Sequence, residues 1–173
     1  MIGLQGHSWS GYQTTYLVTK TDLFDCAQIG APITDMVTGY LGIRNGSGLP
    51  RYFMYEDTQS RMGATLWDAK EKYKAMSPII NADKIRTPLL IFHNDNDEAV
   101  AYEQGRALFL AMRRLQRPAW MVNYKGEGHF VLKTEAQKDW TIRMMQFFDY
   151  YLKKTKEPRW MKEGIQLKDR GYD

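Results

Sequence analysis

At 173 residues, with 43% hydrophobic and 13% aromatic side chains, the chain can bury one substantial core, which excludes a disordered tail. Its net charge of +4, from 24 basic and 20 acidic residues, is spread along the sequence rather than gathered into a nucleic-acid-binding surface; the densest lysines, Lys70, Lys72, Lys74 and Lys153, Lys154, Lys156, read as solvated helix faces. A single cysteine, Cys26, excludes an internal disulfide and a cysteine-rich zinc site, and no run of 18 apolar residues is present to span a membrane.

Strand and helix signals alternate along the chain. Residues 2–5 read as a short buried strand leading into Gly6-His7-Ser8-Trp9-Ser10-Gly11, and a helix follows at about 10–20. Residues 25–30 read as a second strand, closed by Ala31-Pro32. Residues 34–80 are the least regular part, with a loop at 45–50 and several short helices. The run 88–93 is a buried strand, with proline allowed at its first position. Residues 101–116 carry Leu108, Met112 and Leu115 at helical spacing, and 120–124 form the fourth strand. Trp140, Met144, Phe147, Phe148 and Tyr151 mark one face of a long final helix that should pack on the sheet. A polar surface tail at 156–173 completes a single domain over 1–173. The predicted class is α/β: a mostly parallel sheet of about four strands with helices on both faces.

A serine among small residues at a strand-to-helix turn is the nucleophile elbow of α/β-hydrolases, in which a strained turn lifts the hydroxyl above the sheet edge. The nucleophile needs a base to take its proton, and the base needs a group to orient it. Of three histidines, His7 lies inside the elbow, pointing away from the serine hydroxyl, and His93 ends a strand; both read as structural. His129 sits in the loop Gly126-Glu127-Gly128-His129-Phe130 after the fourth strand, and Asp97 in the loop after the third. Serine, acid and histidine thus follow in the hydrolase order, each at the carboxyl end of a strand. Asp95 competes for the acid, although Val100 turning into the next helix favours Asp97. The predicted chemistry is acyl transfer by Ser8, with His129 as base, Asp97 as its orienting acid and the Trp9 backbone N–H as oxyanion donor. No cofactor or metal is expected: the sequence holds no Walker loop, no dinucleotide glycine motif and no His-Glu-x-x-His.

These motifs resemble the C-terminal part of the catalytic domain of the prolyl oligopeptidase family of serine peptidases, which includes dipeptidyl peptidases and acylaminoacyl peptidases. The stretch Gly6-His7-Ser8-Trp9-Ser10-Gly11-Tyr12-Gln13 is similar to a frequent elbow of that family, with Ser10 where a glycine is usual. Ser77-Pro78-Ile79 and Lys84-Ile85-Arg86-Thr87-Pro88-Leu89-Leu90-Ile91 match the lead-in to the acid strand, and Val100 and Gln104 match positions beyond the acid. Asp97 and Gly128-His129 match the family aspartate and histidine, which resolves the acid in favour of Asp97. The resemblance implies the C-terminal half of an α/β-hydrolase fold, no cofactor, and a peptide substrate. It places Ile33 and Met36 in one wall of the pocket for the residue before the scissile bond, with Val100 beside them. Ala99 stands where the family often has a polar side chain.

The resemblance also implies catalytic-domain strands before the elbow, one supplying a second oxyanion donor, and a β-propeller that filters substrates by size. A chain carrying the triad without them is expected to be a poor peptidase alone. Its first strand would be an open sheet edge, and such edges recruit another strand, so a homo-oligomer is expected. Two other readings stay open: a carboxylesterase of small esters, and a catalytically silent assembly fragment. Cytoplasm and periplasm both fit.

Overall fold

The computed structural model describes residues 1–164. Two apolar runs set its centre. β2 (Cys26–Gly30), which follows β1 (Gly3–His7) and α1 (Trp9–Val18), is buried at all five positions. β5 (Leu89–Phe92) is buried at all four. Strands buried on both faces are characteristic of a parallel sheet covered by helices.

Between β2 and β5 lie α2 (Met36–Tyr40), a short hairpin of β3 (Ile43–Arg44) and β4 (Leu49–Pro50), a π-helical turn at Met54–Thr58, α3 (Lys70–Ala75) and a 3₁₀ segment at Pro78–Lys84. The irregular region thus holds the expected short helices, and its glycine loop is the tip of the hairpin. After β5 come α4 (Tyr102–Arg114), β6 (Ala119–Val122), α5 (Thr134–Lys153) and α6 (Arg159–Glu163).

The main sheet has the order β1-β2-β5-β6, with every pair parallel. Its register aligns Gly6, Ile29, Ile91 and Met121 across the four strands. Period-2 alternation then divides the side chains between two cores. Ala27, Ile29, Leu89 and Ile91 meet Val18, Leu108 and Met112 from α1 and α4. Cys26, Leu90 and Val122 face the other way, toward Phe147 and Met161, with Trp140, Met144, Phe148 and Tyr151 of α5 packed around them. The aromatic stripe of the last long helix therefore covers the sheet as its spacing predicts. A third cluster, built from Tyr12, Met36, Tyr40, Tyr55 and Tyr73, fills the region from α2 to α3.

The element boundaries shift by no more than two residues from the sequence expectation. β1 runs to His7 rather than residue 5, because its pairing with β2 continues through His7 opposite Gly30. The tail is a surface strap only in part: Trp120 Nε1 donates to the Met161 carbonyl (2.8 Å), and Met161 itself is buried. Residues 165–173 of that tail lie outside the described residues.

All four parallel strands present their carboxyl ends to one edge of the sheet, where α/β proteins gather functional loops. The turns after β1, β5 and β6 carry Ser8, Asp97 and His129 respectively. Phe147, fully buried beneath this sheet, is the test of the core: Phe147→Ala should destabilise the chain by about 3–5 kcal/mol, measured as a fall in the urea-unfolding midpoint with the slope unchanged.

Candidate active site

Ser8 joins β1 to α1 with φ 58° and ψ −120°, a conformation that costs a residue bearing a β-carbon on the order of 1–3 kcal/mol. Two hydrogen bonds hold it: Ser8 N–H donates to the Gly30 carbonyl (2.8 Å), and Tyr12 N–H to the Ser8 carbonyl (3.0 Å). The turn needs bare neighbours. A β-carbon on Gly6 would lie 2.3 Å from the Ser10 carbonyl oxygen, and one on Gly11 2.5 Å from that of Gly30. Ser10 is exposed; its Oγ accepts from the His7 N–H (2.9 Å) and donates to the His7 carbonyl (2.8 Å). Its hydroxymethyl group clips the turn from outside, and the close helix-to-strand contact falls on Gly11. Trp9 N–H, the first amide of α1, has no acceptor within the helix.

The Asp97 carboxylate is buried and gathers donors on both oxygens. Oδ1 accepts the backbone N–H groups of Ala99 and Val100, each at 2.8 Å. Oδ2 faces His129 Nδ1 at 2.8 Å and His93 Nε2 at 3.4 Å. Burial alone would push the Asp97 carboxyl up; the hydrogen bonds from His129, His93 and Val100 outweigh it and hold it well below the usual carboxylate range. A carboxylate opposite Nδ1 fixes the His129 tautomer: Nδ1 carries the proton and Nε2 presents its lone pair. His93 is fixed the same way. Its Nε2 lies 3.1 Å from the Val100 carbonyl as well as near Asp97, two acceptors, so Nε2 is the protonated nitrogen. The opposite nitrogen, Nδ1, is buried without a hydrogen-bond partner among the described residues and abuts Gly105 of α4, where a β-carbon would come within 2.4 Å of it.

The acid and histidine loops are stitched together. Asn94 Nδ2 donates to the Gly128 carbonyl (2.8 Å), Asn94 Oδ1 accepts from Tyr124 N–H (2.9 Å), and Asp95 Oδ1 accepts from Gly126 N–H (2.9 Å). Asp95, the alternative acid, is thus an exposed brace. Glu127 accepts the N–H groups of Leu132 and Lys133, which closes the loop behind His129. The His7 ring stacks on Phe130 (centroids 5.0 Å apart) and lies 4.8 Å from the His129 ring.

A cavity of about 240 Å³ opens beside these groups, and both Ser8 and His129 line it. Trp9, Ile33 and Val100 form part of its wall. Met36 does not: its side chain is wholly buried in the tyrosine cluster at the start of α2, and Ile33, in the extended stretch before that helix, reaches the wall. Arg44, Arg51, Met54 and Gln59 also line the cavity, and the sequence reading singled out none of them. All four come from the irregular region, where no periodicity signals which residue faces inward.

The model of the prolyl oligopeptidase family matches residues 1–155. The chain belongs to the prolyl oligopeptidase family. It is 28% identical over 158 residues to dipeptidyl-peptidase 5 of Porphyromonas endodontalis, covering 88% of this chain and 22% of that protein. It is 30% identical over 141 residues to dipeptidyl aminopeptidase BIII of Pseudoxanthomonas mexicana, covering 79% of this chain and 20% of the relative. Among solved structures, the uncomplexed acylaminoacyl peptidase of Pyrococcus horikoshii superposes with a TM-score of 0.76 at 23% identity, over 91% of this chain and 25% of that one. The α/β-hydrolase fold is therefore shown, and the chain spans about a fifth of the length of the curated relatives it matches.

Within this member of the prolyl oligopeptidase family, His7 makes the elbow sensitive to pH. Burial, and then the charge on His129, push the His7 imidazole from 6.5 down to about 4. The unfolded chain therefore binds more protons than the folded one between those values, so the contribution of His7 is complete above pH 6.5 and lost as the pH falls toward 4. His7→Phe, which keeps a stacking ring, should show a smaller decline of the urea midpoint between pH 6.5 and 4 than the unmodified chain; equal declines would contradict this account of His7.

Proposed function

We propose that this chain supplies the nucleophile, acid and base of a serine peptidase, with Ser8, Asp97 and His129 in those roles. The observation that carries the reading is the 2.8 Å contact of Asp97 Oδ2 with His129 Nδ1, at the edge of a cavity that Ser8 also lines. In the proposed cycle Ser8 Oγ attacks the scissile carbonyl while His129 Nε2 takes its proton. Asp97 stabilises the imidazolium that forms, and His129 then gives the proton to the leaving amine. Trp9 N–H donates to the developing oxyanion; one such donor is worth about 10²–10³ in turnover. Ile33 and Val100 contact the side chain on the acyl side of the bond. Peptides are the proposed substrates, consistent with peptidase relatives that include a dipeptidyl-peptidase and a dipeptidyl aminopeptidase.

A fluorophosphonate probe tests the nucleophile. The unmodified chain should label and Ser8→Ala should not, while Asp97→Asn should label about 10⁴-fold more slowly. A folded chain that fails to label would sink the proposal. Turnover of p-nitrophenyl esters without turnover of aminoacyl or prolyl nitroanilides would move it to a carboxylesterase.

We further propose that β1, at the edge of the main sheet, is covered by a second copy when this chain stands alone. Met1, Ile2 and Leu23 beside it are exposed, and an open apolar strand edge recruits another strand. Sedimentation at micromolar concentration should show a dimer or larger species, and a single monomeric boundary would refute the assembly.

A further inference from the structure

Two arginines and no carboxylate line the cavity beside Ser8. Arg51 is the more constrained. Its side chain is buried; its Nη1 donates to the Ala99 carbonyl, and its Nε has no hydrogen-bond partner among the described residues. Among the described residues no acidic group lies within ion-pair distance of Arg51 or Arg44. A buried guanidinium without a counter-charge is costly, and the natural remedy is an anion brought by a ligand. Two acids of the same irregular region are committed elsewhere. Asp35 accepts from Val37 N–H and Thr38 Oγ1, and Glu56 accepts from the Tyr40 hydroxyl.

The frame around Arg51 is built to hold it. Arg51 lies just before the π-helical turn Met54–Thr58, and Met54 and Gln59 at either end of that turn share the cavity. π-Helical turns are rare and concentrate at functional sites. The opposite anchor, Ala99, gives its own N–H to Asp97 Oδ1, so the arginine is tied to the same loop as the acid. At about 240 Å³ the cavity is smaller than the roughly 300–1,000 Å³ of sites for drug-sized ligands. That size fits one side chain of a longer substrate.

We propose that this cavity selects an acidic side chain, glutamate or aspartate, on the residue whose carbonyl Ser8 attacks. The carboxylate is received by Arg51 with Arg44, and Gln59 offers an amide. The proposal rests on the hydrolase reading only for which side of the scissile bond the cavity serves. Its energetic basis is the charge-assisted hydrogen bond, about twice as strong as a neutral one.

The test is equilibrium binding to the Ser8→Ala chain, followed by calorimetry, of three short peptides: acetyl-Gly-Glu-amide, acetyl-Gly-Gln-amide and acetyl-Gly-Gln with a free carboxyl terminus. The Glu amide should bind at least tenfold more tightly than its Gln isostere. Arg51→Gln or Arg44→Gln should bring the two within twofold. Arg51 also holds the Ala99 carbonyl; should its variant fail to fold, the exposed Arg44 decides alone. Equal binding of the two amides, or no binding of either at millimolar concentration, overturns the proposal. Tight binding of only the free-carboxyl peptide also overturns it, by assigning the arginines to a chain terminus. Fluorophosphonate labelling of the unmodified chain separates the two readings. A labelled Ser8 without a Glu preference removes this inference alone. A Glu preference with an unlabelled Ser8 removes the hydrolase reading and keeps the carboxylate site.

Discussion

The fully desolvated Asp97 carboxylate is the constraint around which the functional edge of this protein is organised. A carboxylate taken out of water must be surrounded by donors, and here four are supplied: two backbone N–H groups from its own loop and two imidazoles. Each donor ties down a different part of the fold. Ala99 and Val100 set the turn that starts toward α4. His129 fixes the loop after β6, and His93 fixes the end of β5. The order of strands in the sheet matters because it brings those ends together. β5 and β6 are neighbours, so the acid and histidine loops can cross-link through Asn94 and Asp95 without long connections.

Charge is distributed unevenly around that centre. Asp97 is oversupplied with donors, His7 is driven neutral by burial and by His129, and the two cavity arginines have no acid facing them among the described residues. This edge of the sheet therefore has an anionic floor fully hydrogen-bonded from below and a cationic wall left open. Such an arrangement favours a ligand that brings negative charge, whether as a substrate group or as charge developing in a reaction.

Much of the fold and part of the candidate site were legible in the sequence. The β5 run Leu89–Phe92 and the α5 stripe were readable because burial on a sheet imposes a local period. Ser8, Asp97 and His129 were readable because an elbow and two strand-end loops in one order form a pattern that position along the chain preserves. The cavity wall was not. Arg51 acquires its place by reaching across to Ala99, 48 positions later, and no local spacing encodes that approach. Met36 and Ile33 illustrate the same limit at short range: both are apolar and three residues apart, but only the position of α2 in the tyrosine cluster decides which one faces the cavity. His7 was read as turning away from the nucleophile, and its stacking on Phe130 depends on a loop more than 120 residues downstream.

The contact between Gly105 and His93 carries this logic onto α4. α4 packs its glycine directly on the ring that supports the acid, with no room for a methyl group. The spacing of helix and sheet is therefore copied, atom on atom, into the aim of Asp97 and through it into His129. Drift in the packing of α4 would therefore displace the His93 ring as well as loosen the core that Leu108 and Met112 complete. A helix at the side of the sheet and the carboxylate at its edge thus share one ring as their common spacer.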